Sequence, residues 1–366
     1  MSIFAEVLAF IRDPDADCFE QLALEVFRFQ VANVAPYRTY LATVGCDPLK
    51  VRAIEQIPPL STLAFKYTQT ESTAVPPGPA SRLFRTSGTT TGADQRGRHL
   101  VLDLEIYRAA ALNHLRRMFF PDLQRMAILA LHPTADRMPE SSLGQMITWA
   151  SEEFGAETVC TATPAGIDVA ESINFLNACQ RDVHPVAILA TTAACARLFE
   201  AVATGAGPLA LPPGSRLMDT GGSKGQSTPL DASAVVELAA ARLGLAPALV
   251  INEYGMTELC SQLYDATPLN SAYDERAASR RKLAPPWLRP FVLDPATLRP
   301  MGDGEAGVLA FFDLANVGSV SMLLTEDIGT VVDGAVRILG RAAAAEARGC
   351  ALAIAEFAAN NDNDSG

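Results

Sequence analysis

Lysine is scarce in this chain: only Lys50, Lys66, Lys224 and Lys282 occur in 366 residues. Together with the arginines they give 29 basic residues against 41 acidic ones, a formal net charge of −12. That balance argues against nucleic acid or an anionic membrane as the main partner, while leaving room for a local basic pocket that takes a small anion. Cysteine is present but unpatterned. Cys18, Cys46, Cys160, Cys179, Cys195, Cys260 and Cys350 form an odd set without a C-x-x-C pair, which speaks against a zinc site or a disulfide framework and fits a reducing compartment. No apolar run reaches the roughly 18 residues that a membrane span needs. The opening MSIFAEVLAFIRDPDAD has no basic start, and Arg12 and Asp13 cut its apolar stretch short, so no signal peptide is expected. The expectation is a soluble cytoplasmic protein, its oligomeric state open.

What is present suits a large core. The chain is 49% hydrophobic and 19% charged, and its length predicts two or three domains, or one large α/β unit with an appendage. Residues 19–42 repeat apolar positions at helical spacing. Pro58-Pro59 and Pro76-Pro77-Gly78-Pro79 then mark loops. Strands are predicted at 125–131, 157–162, 185–191, 216–220 and 248–254, with helices near 103–119, 141–154, 168–180 and 230–243 between them. Short apolar strands separated by helices describe α/β layering on a largely parallel sheet. From about 287 the pattern becomes hairpin-like, with Asp-Gly turn signals, and the polar tail NDNDSG is expected to be unfolded.

Three segments concentrate chemistry. Thr86-Ser87-Gly88-Thr89-Thr90-Thr91-Gly92 crowds five hydroxyls and two glycines into one loop. Backbone N–H groups and hydroxyls in such a loop can surround phosphate oxygens, although a surface turn can share that composition. No Gly-Lys-Ser/Thr follows, so it is not a Walker loop. Gly221-Gly222-Ser223-Lys224 leaves the end of a predicted strand, where ligand crevices of parallel sheets lie, and carries one of the four lysines. Tyr254-Gly255-Met256-Thr257-Glu258 does the same with an aromatic, a hydroxyl and a carboxylate. Glu258 can hold Mg²⁺ against phosphate; alternatively Thr257 caps a helix.

In this order and spacing the three segments resemble the adenylate-forming superfamily, the group of acyl-CoA synthetases, peptide-synthetase adenylation domains and firefly-type luciferases. GDGEAGVLAF, Asp327 in LLTEDIG and Arg341 in ILGRA extend the likeness over nearly the whole chain. IPPLSTLAFK (57–66), the short length and the RGC segment at Cys350 are most similar to the acyl-protein synthetase (LuxE) family of bacterial bioluminescence. The resemblance implies the large α/β domain of an adenylate-forming enzyme over 1–336, β-rich from about 287, and a short remnant over 337–366. It implies ATP and Mg²⁺ as cofactors and a small carboxylic acid as substrate, with an acyl-reductase as possible partner. Residues 86–92 and Thr257 would surround phosphates, Glu258 would hold the metal, and Gly221, Gly222, Ser223 and Tyr254 with Gly255 would lie on the adenine side. Asp327 would grip the ribose, Arg341 would sit at the domain hinge, His132 would line the acid pocket, and Cys350 would receive the acyl group.

The chain departs from the large members of that superfamily in one respect. Only 25 residues follow Arg341, none of them lysine, whereas those enzymes close a C-terminal domain whose lysine touches the adenylate. Either Lys224 or an arginine substitutes, or activity is low, or a partner completes the site, and a CoA ligase is the less expected outcome. Two further readings stand beside the acyl-protein ligase: an enzyme activating an aromatic or secondary-metabolite acid, and a catalytically impaired nucleotide- or acid-binding homologue. Cys350 itself alternates with Leu352 and Ile354, as a buried strand cysteine would.

Overall fold

The computed structural model describes residues 2–86, 96–122, 125–221, 230–270 and 280–341. Its contacts divide the chain into two units, one formed by 1–111, 256–261 and 282 onward, the other by 112–255 and 262–281. The α/β class expected from the sequence is what both units display.

In the second unit the apolar runs become the strands of one sheet. Their order is Leu263–Asp265, Val250–Tyr254, Arg216–Thr220, Val186–Thr191, Met126–Leu131 and Gly155–Cys160. The first pair is antiparallel and every other pair parallel. Parallel strands covered on both faces read as continuous hydrophobic runs; residues 186–190 are fully buried. The helices begin where short polar side chains can satisfy the first free N–H groups. Ser141, Asp168, Thr191 and Asp231 accept from the N–H of Gly144, Glu171, Ala194 and Ala234, capping Ser142–Phe154, Val169–Arg181, Thr192–Ala201 and Ala232–Leu243. Leu176, Leu198, Val235 and Leu243 pack from these helices onto Ile188 and Leu217. Because the parallel strands all run one way, Gly221, Gly255 and His132 follow strand ends on a single edge of the sheet.

The first unit holds an antiparallel sheet in the order Leu288–Leu293, Ala306–Asp313, Met322–Val332, Ala335–Arg341 and Lys282–Leu283. Asp333 and Gly334 join two of these strands, both with positive φ (49° and 74°), the mirror-image turn whose twist matches a hairpin. Leu60–Ser61 adds in parallel to Leu323–Leu324. The helices Ile3–Arg12, Phe19–Asn33 and Ala35–Thr43 belong to this unit. The helix expected over 19–42 is thus two, broken at Val34, which is extended; Pro36 at the start of the second segment suits a helix beginning there. The buried Gln30 amide donates to the carbonyl of Asn316 (3.1 Å) and to Ser321 Oγ (2.9 Å), tying the amino-terminal helices to the sheet. A separate hairpin, Arg82–Arg85 with Arg98–Val101, carries the Thr/Gly-rich segment between its strands.

Candidate nucleotide-binding residues

In the first unit, Thr86 closes the neck of that hairpin. Its N–H donates to the Gly97 carbonyl (3.0 Å), and its Oγ1 accepts from the Gly97 N–H (2.8 Å). Arg96 donates from Nε to the Thr86 carbonyl (2.6 Å) and from Nη2 to that of Arg85 (3.4 Å). A Cβ at Gly97 would lie 2.9 Å from Thr86 Cγ2, so a side chain there would have to displace the Thr86 methyl. Ser87, Gly88, Thr89, Thr90, Thr91 and Gly92 lie outside the described residues.

His99 stands opposite Phe84 in the same hairpin and is 1% exposed. A carbonyl can only accept, so the 2.8 Å contact to the Thr257 oxygen puts the proton on Nδ1. Phe65 meets the ring edge-on, 5.2 Å between centroids. Burial lowers the His99 pKa from the ordinary 6.5 to about 4, against the opposing pull of the Thr257 hydrogen bond, and the imidazole is neutral at pH 7.

The backbone after Thr257 is clamped by two side chains at the end of the strand Ala306–Asp313. Asn316 Nδ2 donates to the Glu258 carbonyl (2.8 Å), and its Oδ1 accepts from the Cys260 N–H (2.9 Å). Asp313 accepts from that same N–H (3.1 Å) and from the Ser261 hydroxyl (2.8 Å), which in turn accepts from Trp287 Nε1 (3.1 Å). Asp313 is fully buried, and burial pushes its pKa up to about 7 although the hydrogen bonds it accepts pull it down. Residues 257–258 form a turn and no helix follows, so Thr257 is not a helix cap. Asp327 and Arg341 face each other across neighbouring strands, Arg341 Nε 3.6 Å from Asp327 Oδ1. A register shift at Ile328–Gly329 lies beside them, and such irregularities re-aim side chains.

The second unit holds the other residues. Thr220, the last residue of its strand, stands in register with Glu253 on the adjacent parallel strand, and its hydroxyl donates to the buried Glu253 carboxylate. The Thr192 hydroxyl lies 2.7 Å from the Gly221 carbonyl and 2.8 Å from Asp219 Oδ2, which also accepts from Asn252 Nδ2 (3.0 Å). Gly221 has φ +80°, a conformation that favours glycine. A Cβ at Gly255 would collide with Glu253 Oε1. Tyr254, next to it, is half-buried and stands in register with Leu263. His132 follows the strand Met126–Leu131; its Nδ1 sits 2.9 Å from the Pro133 carbonyl, and burial holds its pKa below the ordinary value. Gly222, Ser223, Lys224 and Cys350 lie outside the described residues.

Sequence reasoning did not find His99, Asp313 or Asn316. Only the scarcity of histidine, four in the chain, could have drawn attention to the first. Among the described residues no group of three or more His, Cys, Asp or Glu is placed to hold a metal ion, and no helix is long and apolar enough to cross a membrane.

Comparison with known proteins adds a second line of observation. The sequence model of one family, described as "Acyl-protein synthetase, LuxE", matches residues 2–358. The long-chain-fatty-acid–luciferin-component ligase of Aliivibrio fischeri is 32% identical over 110 residues, 28% of this chain and 29% of that protein. Its namesake from Vibrio harveyi is 31% identical over 107 residues, 27% and 28% of the two chains. Each match therefore spans less than a third of the relative's length. Among solved structures, 2-hydroxyisobutyryl-CoA ligase in complex with 2-HIB-AMP, in the postadenylation state, superposes on 91% of this chain and 70% of its own, with TM-score 0.65 and 15% identity. An open form of that ligase with 2-HIB-AMP and CoA gives TM-score 0.64 and 16% identity over 91% and 77%. The fold is shared.

Proposed function

Because the chain belongs to the LuxE acyl-protein synthetase family, we propose that it activates a carboxylic acid with ATP and passes the acyl group to a cysteine thiol. The observation that carries this reading is the hydrogen bond from His99 to Thr257: it ties the hairpin of the Thr/Gly-rich segment to the Thr-Glu turn. Within the second unit, Thr220 and Glu253 join the strand that leads to Gly221 to the strand ending in Tyr254.

In the activating step a carboxylate oxygen attacks the α-phosphorus, the bond to the bridging oxygen of the β-phosphate breaks, and pyrophosphate leaves. Such chemistry asks the protein to position reactants and to offset charge. Thr86 and Thr257 would hold phosphate oxygens, Tyr254 and Gly221 the adenine, and Asp327 the ribose. Mg²⁺, which neutralises phosphate charge when bound, suits Glu258: it typically takes one or two carboxylates and completes its shell with phosphate and water, and no larger protein cluster is present among the described residues. Asn316 and His99 would fix that carboxylate's backbone. His132 would line the acid pocket and Arg341 would sit at the hinge.

Transfer needs a thiolate, which attacks the acyl carbon and expels AMP. Cys179, Cys195 and Cys260 are buried, and burial pushes their thiols up. Cys18 is raised by its hydrogen bond to Asp15, and Cys46 by burial and then Asp47. Against that background Cys350, two residues after Arg348, is the acceptor of choice. A reductase partner would then release the acyl group as an aldehyde. The relatives' names make long-chain fatty acids the first substrates to test.

Acid-dependent ATP–pyrophosphate exchange over fatty and aryl acids tests the activating half-reaction. A signal with one acid class is expected; silence across the panel with ATP still bound refutes it. Cys350→Ser should abolish the covalent acyl adduct and spare exchange. An undiminished adduct, mapped by mass spectrometry to Cys160, would overturn the acceptor assignment.

A further inference from the structure

One carboxylate in the first unit does more than the turn it begins requires. Asp313 ends the strand Ala306–Asp313 and is fully buried. Its Oδ1 accepts from the Ala315 N–H (2.9 Å), capping the short turn Leu314–Asn316, and from the Ser261 hydroxyl (2.8 Å). Its Oδ2 accepts from the Cys260 N–H (3.1 Å). A neutral amide could cap that turn. Burying a charge is costly unless it is hydrogen-bonded, and here two of the three bonds come from the segment that follows Glu258.

The same carboxylate therefore shapes the turn that carries Asn316 and anchors the segment that Asn316 grips. The Asn316 amide is used at both ends. Its Nδ2 donates to the carbonyls of Glu258 (2.8 Å) and Val320 (3.1 Å), and its Oδ1 accepts from the Cys260 N–H (2.9 Å). The outcome is a fixed direction for one side chain. The peptide plane before the Glu258 Cα is held at the Thr257 carbonyl by His99, and the plane after it at the Glu258 carbonyl by Asn316. A residue has only two soft backbone dihedrals, so holding both planes sets the direction in which its Cα–Cβ bond leaves. Only the side-chain torsions of Glu258 stay free, and these choose among a few staggered states. His99 and Asn316 are 1% exposed and Asp313 is 0% exposed, so water does not compete for these bonds.

We infer that Asp313 is a positioning residue for Glu258: through Cys260, Ser261 and the turn that carries Asn316 it fixes the aim of that carboxylate, and so sets how tightly Mg²⁺ is held with ATP. This rests on the metal role given to Glu258 above. Side chains that orient a metal ligand without touching the metal change its affinity about 10–100-fold when removed.

Calorimetric titration of the full chain with ATP at a series of Mg²⁺ concentrations reads this without turnover. Asp313→Asn keeps the side chain's shape but sets an NH₂ group against the Cys260 N–H or, flipped, against the Ala315 N–H. It should raise the Mg²⁺ concentration that half-maximally promotes ATP binding about tenfold, about 1.4 kcal/mol, and leave ATP affinity without metal nearly unchanged. Glu258→Gln should raise that midpoint at least as far, and adding Asp313→Asn to it should shift the midpoint no further. Saturating Mg²⁺ should return pyrophosphate exchange by Asp313→Asn to near the unmodified rate, a rescue that a damaged fold does not allow. Should Asp313→Asn not fold, Asn316→Asp carries the same expectation, since it keeps the Cys260 acceptor and sets a second oxygen against the Glu258 carbonyl. An unmoved Mg²⁺ midpoint, an equal loss of ATP affinity with and without metal, or a shift that persists in full beside Glu258→Gln would each overturn the positioning role. So would ATP binding by the unmodified chain that is absent or indifferent to Mg²⁺. The expected Mg²⁺ shift without exchange on any acid would overturn the activation reading and leave the role of Asp313 standing. Exchange by both variants with an unchanged Mg²⁺ requirement would do the reverse.

Discussion

Acidification should loosen the first unit through His99, and the size of the effect follows from its burial. The unfolded chain's imidazole titrates near the ordinary 6.5 and the folded one near 4. Between those values the folded state binds fewer protons, so the His99 contribution to stability is complete above about pH 6.5 and is lost as pH falls towards 4. At about 1.4 kcal/mol per pH unit the loss approaches roughly 3 kcal/mol. Asp313 works in the other direction. Its folded pKa, about 7, lies above the ordinary 3.8, so its contribution is fully present below about pH 4 and declines as pH rises through 7. The two slopes oppose each other over most of the range, and the unmodified chain alone should show a shallow profile. The difference between that chain and His99→Gln, whose amide can still donate to Thr257 but does not titrate, isolates the histidine. Trp149 and Trp287 are the only tryptophans, one in each unit; Trp287 is fully buried. In a Trp149→Phe background, Trp287 emission during urea unfolding therefore reports the unit that contains His99. The stability of the His99 form relative to the Gln form should rise by roughly 3 kcal/mol from pH 4 to pH 7 and then level off. A difference that stays flat across that range would refute a neutral, buried His99.

Three substitutions test the rest of the described geometry. Gly255→Ala forces its Cβ into Glu253 Oε1 and so breaks the Thr220 pair; it should cost about 1–3 kcal/mol in urea unfolding, as should Thr220→Val. The double variant should cost little more than either alone, and full additivity would show that the collision is relieved elsewhere. Asp327→Asn, at a partly exposed position beside Arg341, should leave the melting temperature within a degree or two and raise the KM for ATP about tenfold in exchange. A fall in stability with an unchanged KM would make Asp327 a structural partner of Arg341 and not a ribose ligand.

The parallel strands were legible because burial on both faces leaves each as an unbroken apolar run between polar caps; Arg216–Thr220 matches its expected bounds residue for residue. The helix Thr192–Ala201 escaped because it starts one residue after a strand, with no loop between them to announce a change of period. Ile3–Arg12 escaped because its ten residues are apolar but for Glu6 and Arg12, a composition that a leader segment shares. Of the candidate site, the residue types at the strand ends could be read because glycines, hydroxyls and a carboxylate leave apolar runs in a fixed order. The groups that hold those segments could not. His99 meets a backbone carbonyl 158 positions away, and Asp313 and Asn316 act on residues more than 50 positions upstream. A backbone partner leaves no trace in composition or spacing.

The pairing of the chain's first third with its last third also dictates when the protein can become itself during synthesis. Gln30 waits for Asn316 and Ser321, 286 and 291 positions later, and Leu60–Ser61 waits for Leu323–Leu324. At ribosomal speeds of about 5–20 residues per second that interval is roughly 15–60 s. Throughout it the helix Phe19–Asn33 carries an apolar face, with Phe19, Val26 and Phe27, that has no sheet to lie on. The segment 112–255 needs only residues 262–281 to complete its unit, so it can mature first, before the flanking segments complete theirs. Nascent chains halted before Ser321 should therefore recruit chaperones through their amino-terminal helices, and the burden should vanish once that residue clears the exit tunnel.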